Sequence, residues 1–88
     1  MSEEAKRILA EISLSPRADF TKQNLVKIFR LSSKRASGSS LNSEEERELK
    51  SAISQASDEI AGLANLTEKE RLGLLIDLGA EILKQFMN

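Results

Sequence analysis

The sequence contains no histidine, cysteine, tyrosine or tryptophan. Histidine is the usual general base near neutral pH, and cysteine is the common thiol nucleophile. Both side chains are also frequent ligands of transition metals. No spacing of the remaining serine, lysine and carboxylate side chains indicates a reaction. We therefore predict a protein that is not an enzyme and that holds no metal and no cofactor.

Disulfides and long apolar segments are missing as well. Without cysteine the chain cannot form the disulfide framework that small secreted domains use. Residues 3–7 are mostly charged, and the apolar stretch of a signal peptide does not follow them. The longest apolar run, 72–76, contains Gly73 and is far shorter than the roughly 20 residues that span a membrane. We expect a cytoplasmic protein with no membrane association.

Apolar side chains recur with the period of an α-helix in four segments, and no segment alternates with the period of a strand. Ser2, Ser43 and Thr67 stand where helix N-caps are expected, and the last two each precede a glutamate by three residues, as in a capping box. A chain of 88 residues makes one domain, so we predict an all-α fold, a small antiparallel four-helix bundle. The predicted domain covers residues 1–88, with helices at about 3–13, 19–36, 43–64 and 67–86.

The C-terminal segment is apolar over more than half of its helical circumference. One apolar stripe is predicted to face the core: Leu72, Leu75, Ile76, Gly79, Leu83 and Phe86. A second stripe, Leu74, Leu78 and Ile82, lies beside the first. A helix with so wide an apolar surface is central in a bundle or buried in an interface. Two of the other helices are narrowly amphipathic, so we predict that Leu74, Leu78 and Ile82 form a protein interface, most simply between copies of this chain.

Charge is unevenly distributed, although the net charge is only −1. Residues 17–35 carry six lysines and arginines against one aspartate, whereas residues 36–66 are acidic overall. Four basic residues of the second helix are candidates for binding nucleic acid or an acidic partner: Lys27, Arg30, Lys34 and Arg35. The same pattern fits a solvated helix face, or one that pairs with the glutamates at 44–48. The slightly acidic chain, the short stripe and the lack of an aromatic side chain for base stacking favour this second explanation.

The helix layout resembles that of small bacteriocin immunity proteins. It has a short first helix, a longer second, a capped third, and a fourth that opens with Leu-Thr-Glu-Lys-Glu at 66–70. The resemblance extends over most of the chain but is one of spacing, so no functional residue is carried over. It implies a cytoplasmic antiparallel four-helix bundle that protects a producer cell from its own toxin.

The absences, the wide apolar C-terminal helix and the charge pattern together favour a function in binding. We predict a non-catalytic helical protein-interaction module that forms a homo-oligomer through its C-terminal helix. The alternative is a small nucleic-acid-binding regulator that uses the basic face of the second helix. An immunity-like four-helix protein is a further, minor alternative.

Overall fold

A computed structural model describes residues 2–60 and 63–86, without the side chains of Ala64 and Phe86. These residues form four α-helices, α1 (Glu3–Leu14), α2 (Ala18–Ala36), α3 (Ser43–Glu59) and α4 (Glu68–Phe86), and a short 3₁₀ helix, Leu63–Asn65. The described part of the chain contains no strand, which confirms the predicted all-α four-helix bundle. Among the described helices, none combines the length and the apolar composition needed to cross a membrane.

Two of the predicted helix caps are present. The Ser2 hydroxyl accepts a hydrogen bond from the backbone N–H of Ala5 at the start of α1, at 3.1 Å. Thr67 and Glu70 form the predicted capping box of α4, in which each side chain accepts from the backbone N–H of the other residue, at 3.1 and 3.0 Å. Each cap satisfies backbone donors that have no partner within their helix.

The capping box of α3 lies one residue earlier than predicted. Asn42, not Ser43, is the N-cap, and its side-chain oxygen accepts from the backbone N–H of Glu45 at 2.7 Å. The Glu45 carboxylate in turn accepts from the N–H of Asn42 at 3.1 Å. Both Asn42 and Ser43 are good caps with a glutamate three residues later, so local sequence alone does not select between them.

α3 also ends earlier than the predicted residue 64. Its last residue is Glu59, and the backbone of Ile60 is extended, with φ −102° and ψ 113°. Asp58 and Glu59 place negative charge at the end of the helix, where the dipole disfavours it. Ile60 and Leu63 are nevertheless buried. These two apolar residues therefore pack in the turn that leads into α4. The prediction that they belong to a longer α3 was wrong.

α2 lies at the centre of the bundle, because it contacts each of the other three helices and packs most extensively against α4. Leu31 of α2 is buried. It lies seven residues after Asn24, on the side of α2 that α3 covers. The core contains aliphatic residues of all four helices and of the segment before α4: Ala5, Ile8, Leu9, Ile12, Leu25, Ile28, Leu31, Leu49, Ala52, Ala56, Ile60, Leu63, Leu75, Leu78 and Ile82.

Candidate protein interface

The three residues predicted to form a protein interface do not lie together at the surface. Leu78 and Ile82 are 0% and 1% exposed, and only Leu74 is partly exposed. The structure therefore corrects the predicted position of the interface. The reason is that α1 packs on this side of α4, where Gln85 lines a cleft together with Leu9 of α1.

Apart from Leu74, the large apolar side chains that remain partly exposed on α4 lie on its other flank. Leu72, Ile76 and Leu83 share this flank, since residues three, four and seven apart lie on one side of a helix. Val26 of α2 lines a groove with Leu83, and Ile53 of α3 lines a second groove with Leu72. We define these five partly exposed aliphatic residues, Val26, Ile53, Leu72, Ile76 and Leu83, as the α4 strip.

The strip is long enough to contact a helix over three turns. Leu72 and Leu83 are eleven residues apart, which corresponds to about 16 Å along the axis of α4. The groove at the Leu83 end has a volume of about 450 Å³, and the groove at the Leu72 end about 220 Å³. A Cβ atom added at Gly73, which lies beside the strip, would meet no atom within 4 Å. This side of α4 is therefore open to a closely packed partner.

Charged side chains surround the two ends of the strip. Lys22, Arg30 and Asp19 line the groove at the Leu83 end, and Glu68 and Arg71 line the groove at the Leu72 end. None of these five takes part in an ion pair with another described residue. The rim therefore carries two cations and one carboxylate at the Leu83 end, and one cation and one carboxylate at the Leu72 end.

The structure places the four predicted basic residues in different surroundings. Lys34 donates to both carboxylate oxygens of Glu45 on α3, at 3.0 and 2.8 Å. This hydrogen bond, followed by the one from the Asn42 N–H, holds the pKa of Glu45 below its usual value. Lys27 lines a cleft between α2 and α3, Arg30 lines the groove beside Leu83, and Arg35 is exposed in the last turn of α2. Pairing with α3 therefore explains Lys34 but not the other three.

Three residues of the strip were predicted to lie in the core. Leu72, Ile76 and Leu83 belong to the predicted core stripe of the C-terminal helix, and the structure leaves all three partly exposed. Val26 gave the one signal in the sequence, because it lies at the margin of the apolar side of α2. A margin residue on one helix does not reveal which flank of another helix it will meet.

In the part of the chain that the structure describes, acidic side chains do not gather into a metal centre. Within residues 2–60 and 63–86, no group of three or more aspartate and glutamate side chains is placed to hold a metal ion.

Comparison with protein-family models, curated proteins and solved structures finds no match for this chain. The resemblance to bacteriocin immunity proteins thus remains one of helix layout.

Proposed function

We propose that this protein is a non-catalytic, cytoplasmic interaction module that self-associates through the α4 strip. The observation that carries the proposal is the strip itself. Five aliphatic side chains from three helices remain partly exposed along about 16 Å of surface, and charged side chains line its two ends. Covering them would remove further apolar area from water, which is the main driving force for association.

A second copy of the chain fits the strip in direction and charge. In a twofold dimer the same patch contacts itself. When the twofold axis is perpendicular to α4, the two α4 helices run antiparallel. The Leu83 end of one copy then faces the Leu72 end of the other. Lys22 and Arg30 then lie near Glu68 of the second copy, and Asp19 lies near its Arg71. Each end can therefore pair opposite charges in this register.

The small size of the chain also supports self-association. A chain of 88 residues buries roughly 60–65% of the surface that its unfolded form exposes. Oligomerisation is one of the usual ways in which domains of this size gain further stability. A dimer would add the partly exposed residues of the strip to the buried surface of each chain.

Analytical ultracentrifugation across the micromolar range tests the proposal. We expect the unmodified chain to sediment as a dimer and Ile76→Glu and Leu83→Glu to sediment as monomers. Gln85→Glu is the matched control, because it adds the same charge to an exposed position of α4 outside the strip. It should remain dimeric.

Gly73→Glu separates loss of the dimer from loss of the fold. The position has open space around it, and glutamate is a better helix former than glycine, so the monomer should fold at least as well as before. In the proposed dimer the new side chain lies beside the strip and blocks close packing. A monomeric unmodified chain at high concentration, or a Gly73→Glu variant that stays dimeric, would overturn the proposal.

A further inference from the structure

A separate groove lies between α2 and α3, and we define it as the α2–α3 cleft. Its volume is about 430 Å³, within the roughly 300–1,000 Å³ of typical ligand pockets. Ala52, which is 2% exposed, lines the cleft and has too small a side chain to fill it. The side chain of Asn24 donates to that of Gln55 at 3.1 Å and links the two walls.

One end of the cleft presents an aromatic ring. Phe20 is 39% exposed and is one of two large apolar side chains that the described residues expose, the other being Leu14. The guanidinium of Arg17 lies 4.6 Å from the centre of the ring, in a cation–π contact. The exposed part of the ring offers a surface on which a flat ligand can stack, so the expectation that no aromatic side chain is available for base stacking was wrong.

The other end of the cleft is cationic. Lys27 follows Phe20 by seven residues, which places it about 10 Å further along α2. Lys34 pairs with Glu45 and Asn24 with Gln55, so α3 runs antiparallel to α2. Arg47 of α3 therefore lies towards the Lys27 end.

Lys27 and Arg47 are available to bind an anion. Neither side chain forms an ion pair with another described residue. Glu48 also lines the cleft, so two positive charges stand against one negative charge. The cationic end therefore favours a ligand that carries a phosphate.

We propose that the α2–α3 cleft binds a nucleoside phosphate. The base stacks on Phe20, and the phosphate lies between Lys27 and Arg47. Between these ends, Gln23 and Gln55 provide amides that both donate and accept hydrogen bonds, as the edge of a base requires. A free nucleotide and a single-stranded nucleic acid carry this same chemistry. The site does not depend on self-association through the α4 strip.

NMR titration of the whole ¹⁵N-labelled chain tests the proposal, with adenosine monophosphate as one probe and an eight-nucleotide single-stranded oligoadenylate as the other. We expect chemical-shift changes in α2 around 20–27 and in α3 around 47–55. If both probes bind with similar affinity, the ligand of the cleft is a free nucleotide. If the oligonucleotide binds much more tightly, the ligand is a single-stranded nucleic acid. If neither probe binds at about 50 mM salt, the proposal is overturned.

Substitutions distinguish this site from general attraction to phosphate. Phe20→Leu should weaken binding roughly tenfold to a hundredfold, because stacking of a base on an aromatic side chain is lost. Lys27→Gln and Arg47→Gln should each reduce the salt dependence of oligonucleotide binding by about one phosphate contact. Circular dichroism of each variant verifies that the helices remain.

Lys50→Gln is the matched control, since Lys50 is an exposed lysine of α3 outside the cleft. It should leave the affinity and the salt dependence nearly unchanged. Equal losses in Lys50→Gln and Lys27→Gln, or full affinity in Phe20→Leu, would overturn the proposal, because the cleft would then not be the site.

Discussion

α2 packs against α4 and against α3 by different means. Its contact with α4 is aliphatic and very close: a Cβ atom added at Gly79 would lie 2.1 Å from the carbonyl oxygen of Leu25. Its contact with α3 includes polar pairs at intervals along the helix. These pairs are Arg17 and Thr21 with Glu59, Asn24 with Gln55, and Lys34 with Glu45.

The two contacts of α2 contribute differently to the fold. Close aliphatic packing supplies most of the stability, because apolar burial and dispersion grow with the area and density of contact. Each of these polar pairs contributes less, whether it is an ion pair such as Lys34–Glu45 or a single hydrogen bond such as Asn24–Gln55. Spaced along two helices, however, they favour one antiparallel register over others, and they leave room for the α2–α3 cleft.

Truncation of the α2–α4 contact should have the largest effect. Leu25 is fully buried, so Leu25→Ala should lower the free energy of unfolding by about 2–5 kcal/mol. Ile53→Ala should lower the free energy of unfolding by a smaller amount, because this side chain is partly exposed in the single chain. Urea denaturation at a fixed protein concentration measures both. A larger loss for Ile53→Ala would show that α3 matters more to stability than the comparison implies.

The two helical glycines of α4 give a sharper test of close packing. Gly79→Ala should destabilise the protein by about 1–3 kcal/mol, because the new methyl group collides with the backbone of α2. Gly73→Ala is the matched control in the same helix. It should stabilise the chain by about 0.5–1 kcal/mol, as alanine does in an open helix interior. Equal effects of the two changes in thermal denaturation would contradict the close approach.

The polar contact with α3 should respond more weakly. Asn24→Ala removes the hydrogen bond to Gln55 and should cost about 0.5–1.5 kcal/mol, the usual net value for such a bond. Gln55→Ala tests the same bond from the exposed partner. The sum of the two single effects should exceed the effect of the double variant, since both changes delete one interaction. Strict additivity would indicate that the two side chains do not interact.

The Lys34–Glu45 pair should give the smallest effect and one that depends on pH. The pKa of Glu45 is lowered in the folded state, so the carboxylate stabilises the fold above its unfolded pKa of 4.5. This contribution is lost as pH falls through the folded value. Glu45→Gln should therefore be less stable than the unmodified protein near pH 7, and the difference should shrink as the pH falls below 4.5. A difference that is constant with pH would exclude the charge as its cause.

Local sequence determined the four helices and most of their boundaries. The apolar period of 3.6 residues and the caps at Ser2 and Thr67 depend on side chains that are close in the chain. They can therefore be predicted without knowledge of tertiary contacts. Where two neighbouring residues are almost equally good N-caps, as Asn42 and Ser43 are, the sequence does not show which of them caps the helix. The end of α3 at Glu59 was missed for a related reason, since Ile60 and Leu63 are equally apolar in a helix and in a turn.

The burial of α4 was decided by the tertiary structure alone. Its sequence gives two neighbouring apolar stripes, and a rotation of the helix by a fraction of a turn exchanges which stripe is covered. The close approach of Gly79 to Leu25, together with α1 on the other side, orients α4 so that Leu78 and Ile82 are buried and Leu72, Ile76 and Leu83 remain partly exposed. Likewise, only the antiparallel packing of α2 and α3 brings Arg47 to the cleft that Phe20 and Lys27 line. Periodicity states which residues share a side of a helix, but the neighbours that cover that side come from elsewhere in the chain.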